Sequence, residues 1–275
     1  KYDDATKTYI ISEASELAWV AAQVNGTTRA TAHTFEGYTI KLAKDIHLNG
    51  ERWDPIGSNG LFKGTFDGDG HMIEDLYVSV DGNESAGLFA NCQGTIKNLT
   101  VVDAAVYGRY KAGVIVGDGL CARIENCHVD GAVVLSTPYL KDNGNNAGGI
   151  VGYLSAESTA YVKGCSVKNS KITAYRKVGG IVGAANGKAE VTGNTIKACY
   201  ITADMTAEYK EVKPADAGQV VGWKHADAVV ENNTVGSTAV VDNVNVAVRI
   251  NKAEDINPNL GKTLILESGV YEFTE

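Results

Sequence analysis

Short apolar blocks punctuated by Gly, Asn and Asp recur along the chain, and five of them share one form. They are Ala86-Gly87-Leu88-Phe89-Ala90, Gly113-Val114-Ile115-Val116-Gly117, Gly148-Gly149-Ile150-Val151-Gly152, Gly179-Gly180-Ile181-Val182-Gly183 and Gly218-Gln219-Val220-Val221-Gly222. A second apolar run follows each: Ile96 to Val101, Ile124 to Val129, Val162 to Val167, Val191 to Ile196 and Val230 to Val235. Self-similarity of this kind marks a chain built from stacked repeats.

The third position of the second run holds only Asn or Gly, at Asn98, Asn126, Gly164, Gly193 and Asn232. Those residues most readily take positive φ, so the column predicts a sharp corner between two short strands. The corner also resets the two-residue alternation of a strand, which lets Ile124, Cys127 and Val129 all point inward. A third short strand follows, at Ala104-Ala105-Val106, Ala132-Val133-Val134, Lys171 to Ala174, Tyr200 to Ala203 and Ala239-Val240-Val241.

Successive first-column residues Ile96, Ile124, Val162, Val191 and Val230 lie 28, 38, 29 and 39 residues apart. The surplus falls between the third strand and the next Gly block, where Leu135 to Asn146 and Asp204 to Asp216 are long. Three β-rich segments per repeat without intervening helices predict an all-β, right-handed parallel β-helix with three strands per turn, rising about 4.8 Å per turn. A β-sandwich would show hairpin turns and no column tied to one corner.

A stack needs its ends covered. Residues 12–25 predict an amphipathic capping helix, with Ser12 as N-cap, Ala14, Leu17, Ala18, Ala21 and Val24 on one face, and Asn25-Gly26 as its stop. Stacked coils are expected over 39–241 and terminal strands over 242–275, all within a single domain of residues 1–275. Phe62 to His71 reads as strand, turn and return, its Asp67-Gly68-Asp69-Gly70 run being turn chemistry and not a calcium loop.

The ordered series Glu16-Leu17-Ala18, Ile40 to Leu48, Trp53-Asp54-Pro55-Ile56-Gly57, Phe62 to His71, Gly87-Leu88-Phe89 and Ile96-Lys97-Asn98-Leu99 resembles bacterial right-handed β-helix proteins with GLUG-type repeats. Such repeats also occur beside the protease domain of IgA-specific peptidases. The resemblance implies a bacterial secreted or cell-surface protein, adhesin-like or stalk-like, and an extracellular location. It does not imply proteolysis: none of His33, His47, His71, His128 and His225 stands in the His-Glu-x-x-His spacing of a zinc protease. Departures are Ala90, where the other aligned blocks have Gly, and Gln219.

A chain of 275 residues can bury one sizeable core, and a net charge of −8 argues against a nucleic-acid partner. No apolar run is long enough to span a membrane, so no membrane insertion is expected of this region. No signal peptide opens the chain, and the abrupt start at Lys1 fits a mature or trimmed form. Cys92, Cys121, Cys127, Cys165 and Cys199 are odd in number and at no metal spacing; Cys127 and Cys165 share an inward column and are expected as a stacked, reduced pair. No metal, cofactor or catalytic residue is predicted.

Tyr107, Tyr110, Tyr139, Tyr175 and Tyr209 all lie between a third strand and the next Gly block, beside basic residues that include Lys141 and Arg176. Aromatic faces next to hydrogen-bond donors suit the stacking of a sugar chain, and cations suit acidic sugars. The expected function is therefore non-enzymatic, with a polysaccharide or cell-surface glycan as partner. Alternatively, the tyrosines pad the loops against the stack. A polysaccharide lyase or glycoside hydrolase of β-helix fold is the enzymatic alternative, and hydrolysis would need two carboxylates about 5–9.5 Å apart.

Overall fold

In the computed structural model, residues 1–26, 32–82, 84–137, 145–203, 216–242, 248–250 and 264–266 are described. Starting from Thr95, the chain runs through Thr95–Lys97, Thr100–Val102, Ala105–Gly108, Lys111–Gly113 and Val116–Leu120, then returns beside its start at Arg123–Glu125. Each strand pairs in parallel with its counterpart in the next repeat, as in Ile96↔Ile124, Val101↔Val129 and Val106↔Val134. The ladders form five main sheets of nine, seven, six, five and five strands, named here first to fifth in chain order within a turn. This all-β stack of parallel sheets fits a parallel β-helix.

The strand count per repeat differs from the expected three. The Gly block contributes to two further strands, the fourth-sheet Lys111–Gly113 and the fifth-sheet Val116–Leu120, because Gly and Ala let the backbones meet almost without side chains. A Cβ on Gly152 would stand 2.6 Å from the backbone N of Ala112 in the preceding turn, closer than real Cβ atoms approach. The block is thus small where neighbouring turns press together.

Every residue of the predicted corner column has positive φ: 53° at Asn98, 50° at Asn126, 62° at Gly164, 66° at Gly193 and 56° at Asn232. A second corner column lies between the second and third sheets, at Asp75, Asp103, Gly131, Asn169 and Ala198, also with positive φ. Between corners the short strands bury their central residues through most of the stack, as Ile96 and Val101 do, and these side chains form one continuous core. Where Cys127 and Cys165 give way to Asn194 and Asn233, a ladder satisfies the buried amides: the Cys165 N–H donates to Asn194 Oδ1 at 2.8 Å, and the Asn194 N–H to Asn233 Oδ1 at 2.9 Å.

Helix α1 spans Ala14–Asn25 and buries Leu17, Val20, Ala21 and Val24 in that core. Ser12 is not its N-cap. Glu13 takes that position, and the Ser12 backbone N–H donates instead to Glu16 Oε2 at 2.6 Å. Ala18 faces solvent and Val20 replaces it on the buried face. Gly26, with φ 56°, closes the helix by donating its N–H to the Ala22 carbonyl at 2.9 Å.

Thr65–Asp67 and Met72–Glu74 are not a strand and its return. They occupy the first and second sheets and pair with Thr95–Lys97 and Thr100–Val102, so Asp69-Gly70 turns a corner of the coil. Asp67 Oδ1 accepts the Asp69 N–H at 3.0 Å and an Asn98 side-chain N–H at 3.0 Å, which is turn chemistry. Toward the C-terminal end, Val248–Ile250 and Leu264–Leu266 pair in parallel with each other. The start of the predicted tail strand at Val244 lies outside the described residues.

Candidate functional site

Two columns of register partners flank the Gly blocks, some half-exposed and others, such as Ser85, Asp118, Asn146 and Ala184, buried. In the fourth sheet, Ser85, Lys111, Asn146, Lys177 and Asp216 are register partners on successive turns. In the fifth sheet the partners are Asn91, Asp118, Tyr153, Ala184 and Trp223. The Gly blocks bring the two sheets so close that side chains from both columns meet.

Lys111 is the centre of the best-formed part. Its Nζ lies 2.5 Å from Asp118 Oδ2, with the two side chains 12% and 11% exposed. The same Nζ is 4.8 Å from the Tyr110 ring centroid and 4.5 Å from that of Tyr153, one turn further along. Lys177 repeats the arrangement, its Nζ standing 4.1 Å from the ring centroid of Trp223. These are cation–π distances, and they fix the orientation of rings that remain partly open to solvent.

The backbone beneath the site is pinned from the side. Asn145 donates from Nδ2 to the Arg109 carbonyl at 2.9 Å and to the Thr137 carbonyl at 2.5 Å, while the Tyr110 carbonyl accepts from the Asn146 N–H at 2.9 Å and the Ser136 hydroxyl at 3.1 Å. Asp118 Oδ1, Asn146 Oδ1 and Arg176 Nε are buried without a hydrogen-bond partner.

The residues predicted for the site separate into distinct environments. Tyr110 is half-buried against Lys111, as a stacking surface requires. Tyr107 lies in the third sheet, 6.2 Å from the Tyr77 ring, and lines a cleft of 260 Å³ with Ser79, Arg109, Leu135 and Thr137. Tyr175 is 5% exposed, so its ring is not an edge surface. Arg176 is half-buried, and its carbonyl accepts the Asp216 N–H at 2.9 Å. Tyr139, Lys141 and Tyr209 lie outside the described residues.

Sequence reasoning missed Asp118, Tyr153 and Trp223. The signal was present: each stands directly after the last Gly of its block, while Lys111 and Lys177 stand two residues before the first. Combined, the two columns place aromatic rings beside charged and amide side chains on neighbouring turns.

No family model matches the chain. Over 148 residues it is 30% identical to halomucin of Haloquadratum walsbyi, a match that takes in 50% of this chain and 2% of halomucin. Among solved structures it is similar to a Bacteroides ovatus protein provisionally described as an immunoglobulin A1 protease, with a TM-score of 0.60, 21% identity, and coverage of 90% of this chain and 71% of that one. At that identity the likeness is one of fold. The GLUG resemblance therefore rests on the residues that carry it.

Proposed function

We propose that the chain is a non-enzymatic, exported surface module, a right-handed β-helix of GLUG type, that binds carbohydrate along the fourth- and fifth-sheet edge. The observation that carries this reading is Lys111 held against Tyr110, Tyr153 and Asp118, with Lys177 against Trp223 two turns on. Ordered aromatic rings with adjacent polar groups are what sugar rings stack on. The partial likeness to halomucin, a protein named for mucins, supports a surface role.

Among the described residues of the two columns, spacing speaks against hydrolysis. The acids there are Asp118 and Asp216, three turns apart along the stack, or about 14 Å. Glycoside hydrolysis places its carboxylates about 5–9.5 Å apart. A glycan array probed with the full chain tests the proposal, and a signal no higher than that of an unrelated β-helix would overturn it. Reducing ends or unsaturated sugars released from bound polysaccharide would favour an enzyme instead.

A further inference from the structure

Along the two columns the side chains alternate with a period of two turns. Cations stand in the fourth sheet at Lys111 and Lys177, with Asn146 on the turn between. Aromatic residues stand in the fifth sheet at Tyr153 and Trp223, with Ala184 between them. Each aromatic residue sits one turn beyond the lysine that contacts its ring. The backbone positions of Tyr153 and Trp223 are therefore two strand spacings apart along the stack, about 9.6 Å, and each ring reaches back toward the lysine of the preceding turn.

That distance matches the repeat of an extended β-1,4-linked glycan, in which every second sugar presents the same face. The charge pattern adds a second constraint. Lys111 is neutralised by Asp118 in a pair that is largely shielded from water, and Lys177 has Asp216 as its register partner on the next turn. Counted by residue, the two columns carry two lysines, Lys111 and Lys177, and two aspartates, Asp118 and Asp216, so they offer aromatic faces with little net charge, contrary to the acidic-sugar expectation drawn from the lysines alone.

We infer that this edge binds a neutral, extended β-1,4-linked glycan running along the stack, with one sugar on Tyr153 and the next but one on Trp223. The inference rests on the carbohydrate reading above and assigns that site its ligand class and register. A trisaccharide is the shortest chain that reaches both rings. Linking two weak contacts on one ligand raises affinity steeply, so the trisaccharide gains where the disaccharide cannot.

Titration calorimetry of the full chain with cello- and chito-oligosaccharides of two to six sugars provides the test. The expected result is a rise of about tenfold or more from disaccharide to trisaccharide. Tyr153→Ala and Trp223→Ala should each abolish that step, Tyr153→Phe should keep it, and circular dichroism should show all three variants folded. Affinity should change by less than about twofold as salt is raised, since no unscreened charge pair holds the ligand. Glycan binding without a length step, binding unchanged in both alanine variants, or preference for polygalacturonate would overturn this register and ligand class while leaving the carbohydrate reading intact. Absence of binding to any glycan would remove both.

Discussion

Lys111 and Asp118 form an ion pair of 2.5 Å with side chains only 12% and 11% exposed, so the strands on either side of one Gly block are tied by charges that water barely reaches. Removing one partner leaves the other charge buried and alone. Asp118→Ala should therefore destabilise the chain by about 3 kcal/mol. Replacing both with apolar residues, as in Lys111→Met with Asp118→Leu, should restore most of the loss, because the desolvation cost of both ions disappears. Urea denaturation of the wild type, the single variant and the double variant checks this, and a double variant weaker than the single would contradict it.

The corner columns give a second expectation. Ala198 holds φ at 54° on an exposed corner whose counterparts on earlier turns are Asp75, Asp103, Gly131 and Asn169. A Cβ in that region costs about 1–2 kcal/mol. Ala198→Gly should raise stability by about 1 kcal/mol, because relief of that strain exceeds the added entropy of the unfolded chain. At the first corner Gly193, with φ 66°, Gly193→Val should lower stability by a comparable amount. Thermal melting of the two variants should move in opposite directions.

Legibility followed how narrowly each position restricts residue type. The first corner was readable because Asn98, Asn126, Gly164, Gly193 and Asn232 belong to the two residue types that best accept positive φ. The second corner was not, since its column admits Asp, Gly, Asn and even Ala198. The fourth and fifth sheets were hidden because a continuous run such as Gly113 to Gly117 carries no two-residue alternation to divide it into strands. Tyr110 was found from its loop position, whereas Tyr153 and Trp223 required knowing that neighbouring turns bring the two flanks of the Gly block together. Tyr175 looks identical in sequence but is buried, and composition cannot separate an edge ring from a packed one.

The five thiols are all unpaired by disulfide, and their surroundings differ sharply. Burial pushes the Cys92 thiol up to about 12, and burial together with the neighbouring Cys165 thiol holds Cys127 well above its ordinary value. A hydrogen bond with Ser158 lowers Cys121. In the folded protein a thiol reagent at mildly alkaline pH should therefore modify Cys121 first and Cys92 and Cys127 only after unfolding. Cys121→Ser should abolish the fast phase.

The same burial gives the stability a pH dependence of known sign. An unfolded thiol loses its proton near 9.0, whereas Cys92 keeps it until about 12. Below the unfolded value neither state releases the proton, so the contribution is constant. Between pH 9 and 12 the unfolded state binds fewer protons and gains ground, by about 1.4 kcal/mol per pH unit for each such thiol. Unfolding free energy should stay flat with respect to these groups up to pH 9 and fall above it, and Cys92→Ala should lessen the slope even if it shifts the baseline. An unchanged slope would mean that this thiol ionises as readily folded as unfolded.

Helix α1 supplies the last prediction, because its buried face packs on the core beside the first strands of the chain. Leu17 is fully buried, and the strand Tyr2–Asp3 forms the outer edge of the first sheet beside Thr8–Ile11. Leu17→Ala removes buried methyl groups and leaves a void under the helix, a loss of about 3 kcal/mol. Loosening the helix would also expose the apolar end of the core and the strand edges beneath it, which favour pairing with other chains. The variant should unfold at lower urea and scatter more light on mild heating, whereas Ala18→Ser on the exposed face should stay within about 0.5 kcal/mol of wild type. Equal behaviour of the two would mean that the helix decorates the stack without closing it.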